Sequence, residues 1–254
     1  MEAQNEQNIQ IFEDSRRLWE TDPVLRTAME RARERTVLVP VRKNIPCHEG
    51  DRRQREEVRV RVSRKRSLQA AASYRSKHVC VVSFADTTEP GGGVTSGADT
   101  QEARICRCST LYPCLDTPAL QESFYTPNQG EGGPLHSEDC IYSPGVTVFR
   151  YNDEKMELLP ESGRFRVDVL SCAAPEISSP GCSEARLRNL YRKCVRRIFD
   201  IAAEHGAEVL VFGAYGTSPR TLARVFRDEL EYYKTCFETV EFAMCSESGD
   251  EGNY

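Results

Sequence analysis

The sequence predicts an α/β fold: a mixed central sheet with helices on both faces and a helical extension at its N-terminal side. Two observations carry that prediction. His78–Phe84 (HVCVVSF) is a nearly continuous apolar run, as expected of a strand covered on both faces. Further short apolar runs then alternate with stretches whose apolar residues recur at helical spacing. A chain of 254 residues is long enough for one such domain with an added helical layer.

In chain order, Asp22-Pro23 reads as an N-cap followed by proline at the first helical position, with Leu25, Ala28, Met29 and Ala32 recurring on one helical face. Thr36–Val41 is a short β-branched run and hence a strand. Val58–Val62 alternates Val and Arg, the pattern of a half-buried strand near a sheet edge. Ser67–Tyr74 is alanine-rich and helix-like. The HVCVVSF strand empties into the turn-rich loop Asp86–Gly93. Asp99 as N-cap, with Glu102 three residues on, matches a capping box opening a helix over Ala103–Leu111. Residues 126–139 (TPNQGEGGPLHSED) read as a surface loop. Strands follow at Ile141–Phe149, interrupted by Pro144-Gly145, and at Arg166–Cys172, Val209–Phe212 and Phe237–Met244. Leu187, Leu190, Tyr191, Cys194, Ile198, Ile201 and Ala202 form the stripe of an amphipathic helix that Gly206 closes. Ser218-Pro219 opens another, carrying Leu222, Val225 and Phe226. The organisation predicted is an extension and basic segment over residues 1–76 packed on the core, the core itself over 77–245, and a flexible acidic tail over 246–254.

Composition narrows the class. Hydrophobic residues at 39% and charged residues at 29% exclude a disordered chain. The longest apolar runs are far shorter than a membrane span, and the first fifteen residues are polar and acidic, unlike a signal peptide. The expected location is cytoplasmic, or nuclear in a eukaryotic cell. The 11 cysteines are odd in number and come without the signal peptide of a secreted disulfide framework, and the one close pair, Cys106-x-Cys108, has no histidine beside it, so reduced, largely buried thiols are expected and no metal is assigned. A net charge of -5 gives no nucleic-acid footprint, and direct DNA binding is not expected. From Arg52 to Lys77, however, ten cations face only Glu56 and Glu57. That run is either a solvated loop and strand or a landing strip for a phosphate-rich polymer.

Ligand sites in open α/β sheets form beyond the carboxyl ends of the strands. Two glycine-bearing loops fall there: Gly91, Gly92 and Gly93 after HVCVVSF, and Gly213, Tyr215, Gly216 and Thr217 after VLVF. Glycines let backbone approach a ligand closely and take positive φ, although a plain flexible turn has the same composition. Gln101 and Glu102 begin the helix after the first loop, where a helix N-terminus beside glycines suits a phosphate or ribose.

The stretch VVSFADTTEPGGGVTSGADTQEARICRCSTLYPCL resembles the signature of the microbial-type poly(ADP-ribose) glycohydrolases (PARG), a branch of the macrodomain superfamily. DPVLRTAMERARERTVLVP, IYSPGVTVFR, VDVLSCAAP and VLVFGAYG agree in the same order, so the resemblance spans nearly the whole chain. It implies a macrodomain-like core, cleavage of ribose–ribose O-glycosidic bonds without metal or cofactor, and ADP-ribose or poly(ADP-ribose) as partner, including polymer on modified proteins. It also implies substrate contacts from Ser83, the first glycine loop, Gln101, Glu102 and the second glycine loop. In the family the second glutamate of a Gln-Glu-Glu motif donates the proton to the departing oxygen. Here that position is Ala103, which has no proton to give. Glu102 is the remaining candidate acid, but neighbours on a helix point about 100° apart. Ser83 stands where relatives carry asparagine, and the loop from Gly216 to Ser218 is shorter than theirs.

Three functions follow as expectations: a reader that binds ADP-ribose or its polymer with weak or no hydrolysis, an active hydrolase using Glu102, and a non-binding interaction module.

Overall fold

The computed structural model describes residues 2–41, 56–130, 138–174, 183–213 and 219–245. Seven strands form one sheet: β1 Val37–Val39, β2 Arg59–Ser63, β3 Val79–Phe84, β4 Cys140–Val148, β5 Phe165–Cys172, β6 Val209–Phe212 and β7 Thr239–Ala243. Their spatial order is β1-β4-β5-β3-β6-β7-β2. The five strands from β5 to β2 are parallel, while β4 runs antiparallel to both β5 and β1. The apolar β3 therefore lies at the centre, next to β6.

Strand alternation divides the core between the two faces. Val79 and Val81 of β3 face one cluster, together with Val167, Val169, Val209 and Val211. Four helices cover that side: α1 Glu2–Thr21, α2 Pro23–Arg35, α3 Ser67–Ala71 and α4 Gln101–Cys108. The helical run continues through α5 Tyr112–Leu115 and α6 Pro118–Leu120, then a π-helical turn over Gln121–Tyr125, into α7 Thr126–Asn128. Cys80 and Val82 face the opposite cluster, which α8 Glu184–Glu204 and α9 Pro219–Tyr233 fill with Phe199, Val225 and Phe226. Both faces are thus covered, as the run of β3 requires.

Asp22 caps α2, accepting from Val24 N and Leu25 N, with Pro23 behind it. Gly206, at φ +75°, follows the end of α8. Pro144-Gly145 is a bulge inside one continuous β4, with a register shift between Ser143 and Val146. Six of the described cysteines are buried and all are free thiols. Cys140 and Cys172 face each other across β4 and β5 with sulfurs 2.9 Å apart.

Three local expectations are corrected. The Val58–Val62 segment does form an edge strand, but it is not half-buried: Val60 and Val62 are 53% and 64% exposed. An edge strand has one neighbour, and among the described residues no helix covers these valines. The N-cap of α4 is Thr100, not Asp99; its hydroxyl accepts from Ala103 N at 3.2 Å. Asp99 instead pairs with Arg104 and Arg107, which outbid a cap. The 126–139 segment opens as α7 rather than as loop, and residues 131–137 lie outside the described residues. So does the acidic tail from residue 246.

α1 falls within the predicted helical extension, but no bounds were predicted for it, nor for α5 or α6. α1 buries Asn8, Phe12, Ser15 and Trp19 on one stripe. Asn8 donates to Gly97 O at 2.9 Å, and Ser15 donates to Arg107 O at 2.8 Å while accepting from Arg150 Nε at 2.7 Å. The helix seats so closely that a Cβ on Gly97 would stand 2.3 Å from Asn5 O.

Candidate active site

Because β3 and β6 are neighbours and parallel, the chain leaves both at the same end of the sheet. The first glycine loop begins there. Gly91, Gly92 and Gly93 take φ of +77°, +56° and +79°, a left-handed run that a side chain would strain. A Cβ on Gly91 would meet Tyr112 and Val94 at 2.9 Å, and one on Gly92 would meet Glu102 Oε2 and Thr100 Oγ1 at 3.0 Å. Glycine is required here by space as well as by φ.

The three side chains that open α4 diverge. Gln101 turns to the sheet: its Oε1 accepts from Phe84 N at 2.8 Å, and its Nε2 donates to Val82 O and Ser67 Oγ, both at 3.0 Å. It ties α4 to the end of β3 and to α3, and Gly213 abuts the same amide. Ala103 is fully buried in the apolar cluster on the α1–α4 face. Glu102 turns toward the glycine loop, where Oε2 accepts from Asp86 N at 2.9 Å.

Glu102 is 0% exposed, and its Oε1 has no hydrogen-bond partner among the described residues. Burial pushes its carboxyl up to about 8, against the Asp86 N–H, which favours the anion; the charges of Asp86 and Glu89 add to the rise. It is therefore mostly protonated at neutral pH. Tyr125, from the π-helical turn, is also buried, and its hydroxyl has no partner among the described residues.

A turn covers this acid. Asp86 Oδ1 accepts from Thr88 N at 2.7 Å and Glu89 N at 3.1 Å, and the end of α7 and the residue after it hold the turn, Asn128 Nδ2 donating to Thr87 O and Gln129 Nε2 to Thr88 O. Asp86, Thr100, Tyr125 and Asn128 were not singled out in the sequence. Asp86-x-Thr88 carried an Asx-turn signal, whereas nothing local marks Tyr125. Ser83 is buried on β3 opposite Ser171 of β5, and neither hydroxyl has a partner among the described residues. Of the second loop, Gly213 is described; Tyr215, Gly216 and Thr217 lie outside the described residues. Among the described residues, no three His, Cys, Asp or Glu side chains gather as a metal site. Nor is any described helix long and apolar enough to cross a membrane.

The family model of the microbial-type PARG catalytic domain matches residues 6–151, more than half of the chain. The chain belongs to this family. Its fold agrees with solved members. The poly(ADP-ribose) glycohydrolase from Thermomonospora curvata is 27% identical, with a TM-score of 0.80 over 96% of this chain and 95% of that one. A structure of that glycohydrolase bound to the inhibitor ADP-HPD is 28% identical at the same TM-score and coverage. The glycohydrolase from Deinococcus radiodurans in complex with ADP-ribose is 30% identical, with a TM-score of 0.73 over 87% of this chain and 92% of that one. No curated protein sequence matches the chain. The three-layer PARG-like fold, with its macrodomain-like sheet, thus carries a glycine loop, a buried Glu102 and an alanine at 103.

Proposed function

We propose that this PARG-family domain recognises ADP-ribose or poly(ADP-ribose) and hydrolyses it weakly or not at all. The observation that carries the reading is Ala103, buried in apolar packing at the position from which the family's resemblance calls for a proton donor. A methyl group transfers no proton, and loss of a general acid costs on the order of 10²–10⁴ in rate. Recognition is supported by the left-handed Gly91–Gly93 run at the end of β3 and by the ADP-ribose held by the Deinococcus radiodurans relative. Ser83, Gly213, Tyr215, Gly216 and Thr217 are proposed to line the same ligand, and Gln101 to hold the scaffold beneath it.

One observation favours the second reading, an active hydrolase. A carboxyl pushed up to about 8 with a free oxygen is a proton donor at neutral pH, as glycosidic cleavage requires. Against it, Glu102 is wholly enclosed and bound to Asp86 N. We assign Glu102 to holding the loop. Calorimetric titration with ADP-ribose tests recognition: saturable one-to-one binding is expected. Absence of heat and of competition with polymer would leave an interaction module instead.

A further inference from the structure

At the opposite end of β3, six residues and roughly 20 Å from the glycine loop at about 3.3 Å per residue, lies an open cavity of about 930 Å³. Its wall is formed by the first residues of β3 and β5, the bulge of β4 and the end of α2. Five cationic side chains line it: Arg35, Arg75, Lys77, Arg164 and Arg166. Two of them are already neutralised, Lys77 by Glu238 at 2.9 Å and Arg164 by Asp22 at 2.7 Å. Arg75 lies over the Phe165 ring at 4.9 Å and makes no ion pair among the described residues. Arg35 and Arg166 are exposed and make no ion pair among the described residues.

The single carboxylate of the lining does not balance these charges. Asp168 is buried, and its oxygens accept from Gly145 N at 2.8 Å, from the Tyr142 hydroxyl, and from His78 Nε2 at 2.5 Å. Gly145, at φ +72°, turns its N–H inward at the bulge, and no atom stands within 4 Å of where its Cβ would be. Tyr142 in turn stacks on His205 at 3.7 Å between centroids. The carboxylate is spent on fixing the aromatic wall, while three arginines stay uncommitted in a concavity that concentrates their field. Planar guanidinium forks match phosphate oxygens, and the volume is in the range of small-molecule sites.

We propose that this cavity is a second binding site, separate from the glycine loop, for a phosphate-bearing anion held by Arg35, Arg75 and Arg166 against the Tyr142–His205 stack. It does not depend on the catalytic competence of the first site. The probe is inorganic pyrophosphate, titrated into the full chain and followed through the ring C–H resonances of His78 and His205. Saturable shifts at both rings are expected. The exposed double variant Arg35→Gln/Arg166→Gln should bind at least tenfold more weakly. Arg26→Gln/Arg31→Gln, which removes the same charge from the exposed surface of α2, should bind as the parent does. Pyrophosphate that leaves both rings unmoved, or equal weakening by both double variants, would overturn the site. Addition of poly(ADP-ribose) separates the sources. Displacement of pyrophosphate assigns the anion to the polymer's diphosphates, and retention assigns it to a free phosphate compound; either supports the site.

Discussion

At the first turn of α4, three consecutive side chains serve three purposes because a helix turns about 100° per residue. Gln101 reaches the sheet, Glu102 the glycine loop, and Ala103 the apolar core. The sequence marked all three positions and the missing acid, but not that Glu102 would be enclosed. Its enclosure depends on Asp86, 16 residues away, and on a turn held by α7, which no local pattern encodes. A pH prediction follows. The folded carboxyl holds its proton up to about 8, whereas the unfolded chain releases it near 4.5. Between those values the folded state binds more protons, so stability is intact below about 4.5 and is lost as pH rises toward 8, by at most about 1.4 kcal/mol per pH unit. Denaturant melts from pH 4.5 to 8 should show this slope in the parent and lack it in Glu102→Gln. A slope unchanged by the substitution would refute the burial. Gly92→Ala, which places a Cβ 3.0 Å from Glu102 Oε2 at φ +56°, should cost at least about 1–2 kcal/mol in the same melts.

Among the elements, α1 has the most far-reaching role, since its contacts with Gly97 and Arg107 brace both the segment after the glycine loop and α4 itself. Its stripe at Asn8, Phe12, Ser15 and Trp19 was readable at helical spacing, but two of the four residues are polar and the apolar signal is correspondingly thin. Trp19 is 3% exposed, so Trp19→Ala should cost about 3–5 kcal/mol by thermal or denaturant melting. Gly97→Ala should be comparably damaging and should also weaken ADP-ribose binding, because α1, whose Asn5 O would stand 2.3 Å from the new Cβ, must lift from that segment. The strands were legible for a different reason. β3 and β6 are covered on both faces, and continuous apolar runs have one explanation there. β2 misled because alternation of Val and Arg signals a buried face only when something packs on that face. Its exposed Val62 should accept Val62→Thr within about 0.5 kcal/mol.

Over the whole molecule, the basic run from Arg52 to Lys77 divides. Arg59 and Arg61 lie exposed on the edge strand β2, Arg66 pairs with Glu154, and Arg75 and Lys77 reach the cavity at the far end of β3; Arg52, Arg53 and Arg55 lie outside the described residues. Such a spread of cations should make affinity for long poly(ADP-ribose) exceed that for ADP-ribose and fall steeply with salt. Filter binding from low to high salt checks this, and affinities indifferent to chain length and salt would reduce the run to solvated surface. The fold was legible because core periodicity is local, while the cavity at the far end of β3 was not, because Arg35, Arg75 and Arg166 come from three separate stretches of the chain. The central claim is recognition without turnover, and single-turnover cleavage of poly(ADP-ribose) by excess protein tests it most directly. Little or no ADP-ribose release is predicted for the unmodified chain, and Ala103→Glu should gain little, since the new carboxyl enters apolar packing. Rapid release by the unmodified chain, abolished by Glu102→Gln, would contradict the account and make Glu102 the acid.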